Sequence, residues 1–315
     1  MKKILLLFVS LFVSFSINLK AQDEDVLVKE IPVQFMQGSF NVPLILGDFI
    51  QDQDSTSAAM LNTYYLLSHV MLGVKFPEGL IEKTLTDVEN VFGKESTMYG
   101  LAMIPKGVDD DENLEILHEA SEIIKNAEGE NSWEYAYALM HCANVSLNLK
   151  KHGTIEKSQK YINKCISILE DGKKDTWLYP IALCNRGAAK LYAQDETFFD
   201  DMVNAYEILD KDESEGSLLP QIYCSILLSS TFTLLEMPDR AINLLETDEI
   251  IMKELELQES ELYVSLCTTM CYAHYLQKDK KKAQSYLKKA EEACIKRFGA
   301  DSQRYKDLDS YRKLF

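Results

Sequence analysis

Two stretches of the chain carry one pattern: residues 229–245, SSTFTLLEMPDRAINLL, and residues 271–287, CYAHYLQKDKKKAQSYL. Each begins with a small residue, has a bulky residue three positions later, and has a second small residue twelve positions after the first. Small residues mark the places where two helices approach closely, and the bulky residue fills the space beside them. The pattern therefore predicts a helical hairpin.

The first small position recurs at intervals of 41 or 42 residues, at Ser146, Ala188, Ser229 and Cys271. A hairpin repeated at one interval stacks on its neighbours as a solenoid. Apolar spacing predicts the clearest hairpins at 133–150 with 155–170, 176–192 with 196–209, 217–235 with 239–255 and 259–277 with 281–297. With two weaker hairpins before them and a polar capping helix at 301–314, the predicted fold class is an all-α solenoid of about six hairpins over 54–315.

The N-terminus resembles an export signal. Met1-Lys2-Lys3 is basic, residues 4–17 form a mostly apolar run, and Ala21 precedes a plausible cleavage point. That run is shorter than the roughly 20 residues needed to span a bilayer, so it predicts a cleaved signal peptide at 1–21 rather than an anchor. We expect an exported protein that is periplasmic, at the cell surface or secreted, with no membrane insertion after cleavage.

Residues 22–53 differ in composition from the repeats. Val26 to Phe35 is rich in β-branched residues, and Pro32 and Pro43 oppose a long helix. The sequence therefore predicts a short extended N-terminal arm.

The bulk composition excludes some partners. The 315 residues are 46% hydrophobic and 26% charged, as expected for an ordered protein with a large core. The net charge of −17 repels nucleic acid, which is not expected as a partner.

Seven cysteines lie beyond the export signal. Cys142, Cys184 and Cys267 each stand four residues before the small position of their repeat, and Cys271 occupies that position. Equivalent positions of neighbouring helices lie about 10 Å apart, beyond the reach of a disulfide. We therefore expect buried structural thiols.

The repeats resemble the tetratricopeptide repeat, through residues 153–162, 240–245 and 282–287. The interval is similar to the longer variety found in kinesin light chain, and residues 92–99 and 298–305 share the motif F-G-x-[ED]-S-x-x-Y. The resemblance covers 55–314 and implies a right-handed superhelix. It departs from the family at Trp133 and Trp177, which are 44 residues apart, and at Asp200, where a small residue is expected.

In that family ligands lie against the first helix of each hairpin, on the concave face. Carried over position by position, this resemblance implies a set of groove residues: Asn185, Tyr192, Tyr223, Ser230, Thr268, Tyr272 and Tyr275. Tyrosine suits recognition because it offers a large contact area with a polar tip. Ordinary packing between repeats is the other interpretation of these tyrosines.

No motif for catalysis, cofactor binding or metal binding is found. The five histidines include no HExxH pair, and the sequence has no GxSxG, Walker or GxGxxG motif. The leading hypothesis is a non-catalytic exported scaffold that binds a peptide, protein or envelope partner. The alternative is a glycan-binding accessory protein of a bacterial envelope uptake system, and a helical-toroid hydrolase ranks third.

Overall fold

The computed structural model describes residues 24–40, 55–109, 113–149, 153–212 and 214–315. The proposed signal peptide and residues 22, 23 and 41–53 of the proposed arm lie outside these ranges. Within them the chain is helical and contains no strand. The α-helices are α1 (Glu24–Met36), α2 (Ser55–Leu72), α3 (Leu80–Phe92), α4 (Thr97–Asp109), α5 (Leu114–Glu128), α6 (Trp133–Asn148), α7 (Thr154–Glu170), α8 (Leu178–Tyr192), α9 (Phe198–Asp210), α10 (Leu218–Leu234), α11 (Pro238–Glu254), α12 (Glu261–Leu276), α13 (Lys280–Phe298), α14 (Gln303–Asp307) and α15 (Asp309–Arg312).

Helices α2 to α13 pair in sequence as six hairpins, and each hairpin packs on the next. The first helices are buried almost all round, as in α6, where residues 135–143 are all buried. The second helices bury one stripe, as in α7, where Ser158, Ile162, Cys165 and Leu169 face the core. The first helices therefore form an inner layer and the second helices an outer layer. The all-α solenoid prediction is confirmed.

The small positions of the repeat lie at helix contacts. Ser146, Ser229 and Cys271 have no solvent exposure, and neither do Ala241 and Ala283, twelve residues after the last two. The fourth hairpin departs from this pattern, because Asp200 is exposed. There the close approach moves to Gly187, where an added Cβ would lie 2.8 Å from the carbonyl oxygen of Phe198.

The motif F-G-x-[ED]-S-x-x-Y joins one helix to the next. Gly93, with a φ of 81°, ends α3, and the Ser96 hydroxyl accepts a hydrogen bond from the Tyr99 backbone at 3.2 Å. Ser302 and Tyr305 repeat that contact at 3.2 Å. A serine that accepts from the third residue after it caps a helix and satisfies a free backbone N–H group.

The extended conformation predicted for the arm is wrong for Glu24–Met36, which form α1. Pro32 lies inside this helix and removes one backbone hydrogen bond. The burial of Ile31 and Phe35, one turn apart and 1% and 0% exposed, offsets that loss. Tertiary packing therefore overrides the local preference that the sequence indicated.

Phe35 is the centre of an aromatic cluster that joins α1 to the inner layer. Its ring centroid lies 5.5 Å from Tyr64, 5.7 Å from Tyr137 and 6.1 Å from Trp177. The Trp177 indole donates a hydrogen bond of 2.8 Å to the Phe35 carbonyl oxygen. Helix α1 is therefore part of the core of the repeat domain.

The solenoid curves until its first hairpin meets its last. The carbonyl oxygen of Gly73, just after α2, accepts hydrogen bonds from the Glu261 backbone at 2.8 Å and from Arg297 Nε at 3.0 Å. Arg297 is 8% exposed and lies over the Phe76 ring at 5.6 Å. These contacts join hairpins that are far apart in sequence.

The C-terminal cap is two short helices, α14 and α15, rather than the single helix predicted at 301–314. Leu308 separates them and is 4% exposed. Through Tyr311 and Phe315 the cap packs on the last hairpin.

Candidate functional site

The inner layer carries every groove residue that the resemblance implied, on α8, α10 and α12. Asn185 and Tyr223 form its deepest part. The Tyr223 hydroxyl donates a hydrogen bond of 2.6 Å to Asn185 Oδ1 across the α8–α10 contact. Burial raises the pKa of Tyr223, so this hydroxyl stays protonated and remains a donor.

Asn185 is 5% exposed, and its Nδ2 has no hydrogen-bond partner within the described residues. A buried amide N–H without a partner costs about 1–3 kcal/mol, so such a group favours an acceptor brought by water or by a ligand. Asn185 therefore has unused hydrogen-bonding capacity, but its Nδ2 atom is enclosed rather than exposed at the surface.

The exposed residues of the predicted groove are aromatic. Tyr192, at the end of α8, is 50% exposed, and Tyr275, near the end of α12, is 39% exposed. The Tyr272 and Tyr275 rings stack with centroids 6.1 Å apart. These three residues offer apolar surface with hydroxyl tips to a partner.

The C-terminal cap covers part of the predicted groove. Burial raises the pKa of Tyr311, and its side-chain hydrogen bond with Thr268 partly opposes that rise. The hydroxyls of Tyr192 and Tyr272 lie near enough to Tyr311 to raise its pKa slightly further. Thr268 is 9% exposed, so it contacts the cap and offers little surface to a ligand.

Ser230 is half-buried, and its carbonyl oxygen accepts the Thr233 hydroxyl at 2.7 Å. Leu234, four residues later on the same face of α10, is 62% exposed and was not predicted. Its spacing from Tyr223 and Ser230 would have identified it.

A small cavity of about 350 Å³ was also not predicted. It is lined by Tyr275, Leu276, Lys278, Lys280, Leu314 and Phe315.

The charge around this end of the groove differs from that of the whole chain. Residues 278–315 contain twelve Lys and Arg against six Asp and Glu, although the net charge of the protein is −17. The C-terminal segment, which includes Lys278 and Lys280 at the cavity, is therefore basic in an otherwise acidic protein.

A pair of acidic residues on α11 has opposite environments. Glu249 accepts hydrogen bonds from Tyr286 at 2.8 Å and from Lys289 at 2.7 Å, and it pairs with Lys253 at 2.7 Å. Burial alone would raise the pKa of Glu249, but these bonds outweigh it and hold the pKa at about 2. Burial raises the pKa of Asp248 to about 7, because only Ser225 stabilises its charged form. Both carboxyls lie in the helix packing, away from the exposed tyrosines.

The buried histidines His141 and His274, and the cysteines, lie in the packing between helices. His274 is 2% exposed and stacks on Tyr286 at 5.5 Å, as expected for the bulky position of its repeat. Burial lowers the pKa of His141 to about 3.

All seven cysteines are buried free thiols, which confirms the predicted burial. Across the described residues, no three His, Cys, Asp or Glu side chains are placed to hold a metal ion.

No family model matches the chain, and no curated protein sequence matches it. None of the helices in the described ranges combines the length and apolar character needed to cross a membrane. The repeat architecture and the groove are therefore the basis for a functional proposal.

Proposed function

We propose that this protein is an exported, non-catalytic scaffold of the tetratricopeptide type, which binds a peptide or protein partner on the groove face of α8, α10 and α12. The main support for the proposal is the exposure of two aromatic side chains of the inner layer, Tyr192 and Tyr275. Their rings supply contact area, and their hydroxyl groups can exchange hydrogen bonds with a peptide backbone.

A partner-capture experiment tests this proposal. The full chain is immobilised and exposed to envelope extract of the source organism, beside the variants Tyr192→Ala and Tyr275→Ala. Ile250→Ala is the matched control, because Ile250 is 55% exposed on the outer helix α11. We expect one enriched protein that the groove variants lose and the control keeps. Equal capture by all variants, or turnover of a substrate by the purified protein, contradicts the proposal.

A glycan-binding role is the second candidate, because the stacked Tyr272 and Tyr275 rings also form a surface on which a sugar ring can pack. A glycan array separates the two. A reproducible glycan signal that Tyr272→Ala abolishes would replace the protein-partner proposal. A blank array together with a captured protein supports the scaffold.

A further inference from the structure

Two of the seven thiols lie side by side. Cys184 on α8 directs its thiol to the carbonyl oxygen of Cys224 at 4.0 Å, and Cys224 on α10 directs its thiol to the carbonyl oxygen of Pro180 at 3.9 Å. Each sulfur therefore reaches the backbone of the opposite helix. Both residues have no solvent exposure.

The repeat frame explains why these two cysteines meet. Cys184 stands four residues before Ala188, whereas Cys224 stands five residues before Ser229. The position equivalent to Cys184 in the fifth hairpin is Ser225. Cys224 therefore lies one residue before the position equivalent to Cys184. The separation of about 10 Å between equivalent positions does not apply to this pair of cysteines. Burial raises the pKa of Cys224, and the neighbouring Cys184 raises it further, as expected for two thiols in contact.

The thiol pair adjoins the deepest part of the groove. Cys184 precedes Asn185, and Cys224 follows Tyr223, so the two cysteines flank the residues that share the 2.6 Å hydrogen bond. A bond between the sulfurs would fasten α8 to α10 next to this hydrogen bond.

We propose that Cys184 and Cys224 form a disulfide bond when the chain folds in the presence of a disulfide oxidant, and that this bond rigidifies the Asn185–Tyr223 part of the groove. In the reaction, one thiolate attacks the oxidant's disulfide and releases one thiol. The second cysteine then displaces the other thiol, so the protein loses two hydrogen atoms and the oxidant becomes two thiols. Because a buried, protonated thiol reacts slowly, the bond forms as α8 and α10 dock rather than after folding is complete. Any effect of the more rigid groove on ligand binding rests on the proposed function, whereas formation of the disulfide bond does not.

The test uses the full chain, reduced, unfolded and refolded with reduced and oxidised glutathione, or with reduced glutathione alone. Free thiols are then alkylated, and proteolytic fragments are analysed by mass spectrometry. We expect a fragment linked through Cys184 and Cys224 in the first sample only, with the other cysteines alkylated. Complete alkylation of both residues in a chain that has refolded with oxidised glutathione overturns the proposal.

Two further measurements address the consequence. A disulfide closes the loop of chain between Cys184 and Cys224, and this closure should raise the midpoint of thermal unfolding by roughly 5–10 °C. Amide hydrogen exchange in α8 and α10 should slow, whereas exchange in α2 should not change. Cys184→Ala should remove both effects, and Cys165→Ala, which changes a buried thiol on α7, should keep both. Identical exchange in the oxidised and reduced forms contradicts the rigidifying role. Failure to capture a partner refutes only the proposed function, because neither measurement involves a ligand.

Discussion

Asp248 and Glu249 are adjacent on α11, and replacing each by its amide should change stability in opposite directions. Asp248 is 7% exposed, and its Oδ2 has no hydrogen-bond partner within the described residues. Glu249 is 6% exposed and is bonded to two lysines and to Tyr286. Asp248→Asn removes an unfavourable buried charge, whereas Glu249→Gln removes a favourable one.

The magnitudes follow from the pKa values. The pKa of Asp248 rises from 3.8 in the unfolded chain to about 7, so the folded state favours the protonated acid. Stability is therefore lost as the pH rises from about 4 to about 7, by roughly 4 kcal/mol in total. Asp248→Asn should match the wild type near pH 4 and exceed its stability by roughly 3–4 kcal/mol near pH 8.

The contribution of Glu249 to stability depends on pH in the opposite direction. Its pKa falls from 4.5 to about 2, so its stabilising contribution is present above pH 4.5 and is lost as the pH falls through about 2. Glu249→Gln should therefore lose roughly 3 kcal/mol near pH 7 and approach the wild type near pH 2. The two variants change neighbouring residues of one helix, so each is the control for the other.

Urea unfolding followed by far-ultraviolet circular dichroism measures these differences across the pH range. Destabilisation of the protein by Asp248→Asn near pH 8 would contradict the proposed charge effect. A difference from wild type that does not depend on pH would also contradict it, because the effect would then come from packing rather than from ionisation.

Three further predictions concern the ends of the chain. Phe35→Ala should cost about 3–5 kcal/mol in urea unfolding, because the ring is fully buried; a loss below about 1 kcal/mol would show that α1 is not part of the core. Arg297→Met should lower the free energy of unfolding by about 1–3 kcal/mol, because the Gly73 carbonyl oxygen loses a hydrogen-bond donor. Amide hydrogen exchange around Gly73 should become faster, and unchanged exchange would contradict the contact between the first and last hairpins. Mass spectrometry of exported protein should show a chain that starts at Gln22, and an intact Met1 would contradict signal cleavage.

Local patterns predicted most of the fold. The S-x-x-Y part of the motif at Ser96 and Ser302 caps a helix through contacts within four residues, so the sequence carries that information directly. The small positions at Ser146 and Cys271 are also local, because the hairpin partner follows within a few turns. Pro32 misled the prediction, because its cost is local but the burial of Phe35 that offsets it comes from helices far along the chain.

The exposed surface of the inner layer was predicted less completely. Tyr192 and Tyr275 are exposed, whereas Asn185 is enclosed, and the role of all three in binding stays a prediction. Thr268 is covered by the cap, and the exposed Leu234 was missed. Whether a residue of the inner layer meets solvent or another segment depends on contacts that spacing along one helix does not report.

Sequence information alone specifies the repeated hairpin, because a small residue, a bulky residue and a second small residue twelve positions later concern helices that are adjacent in the chain. The contact between Gly73 and Glu261 and the entry of α1 into the aromatic cluster depend on the tertiary structure. The reason is that small rotations between successive hairpins add up over the solenoid. Their sum places distant segments in contact, and no single repeat encodes it.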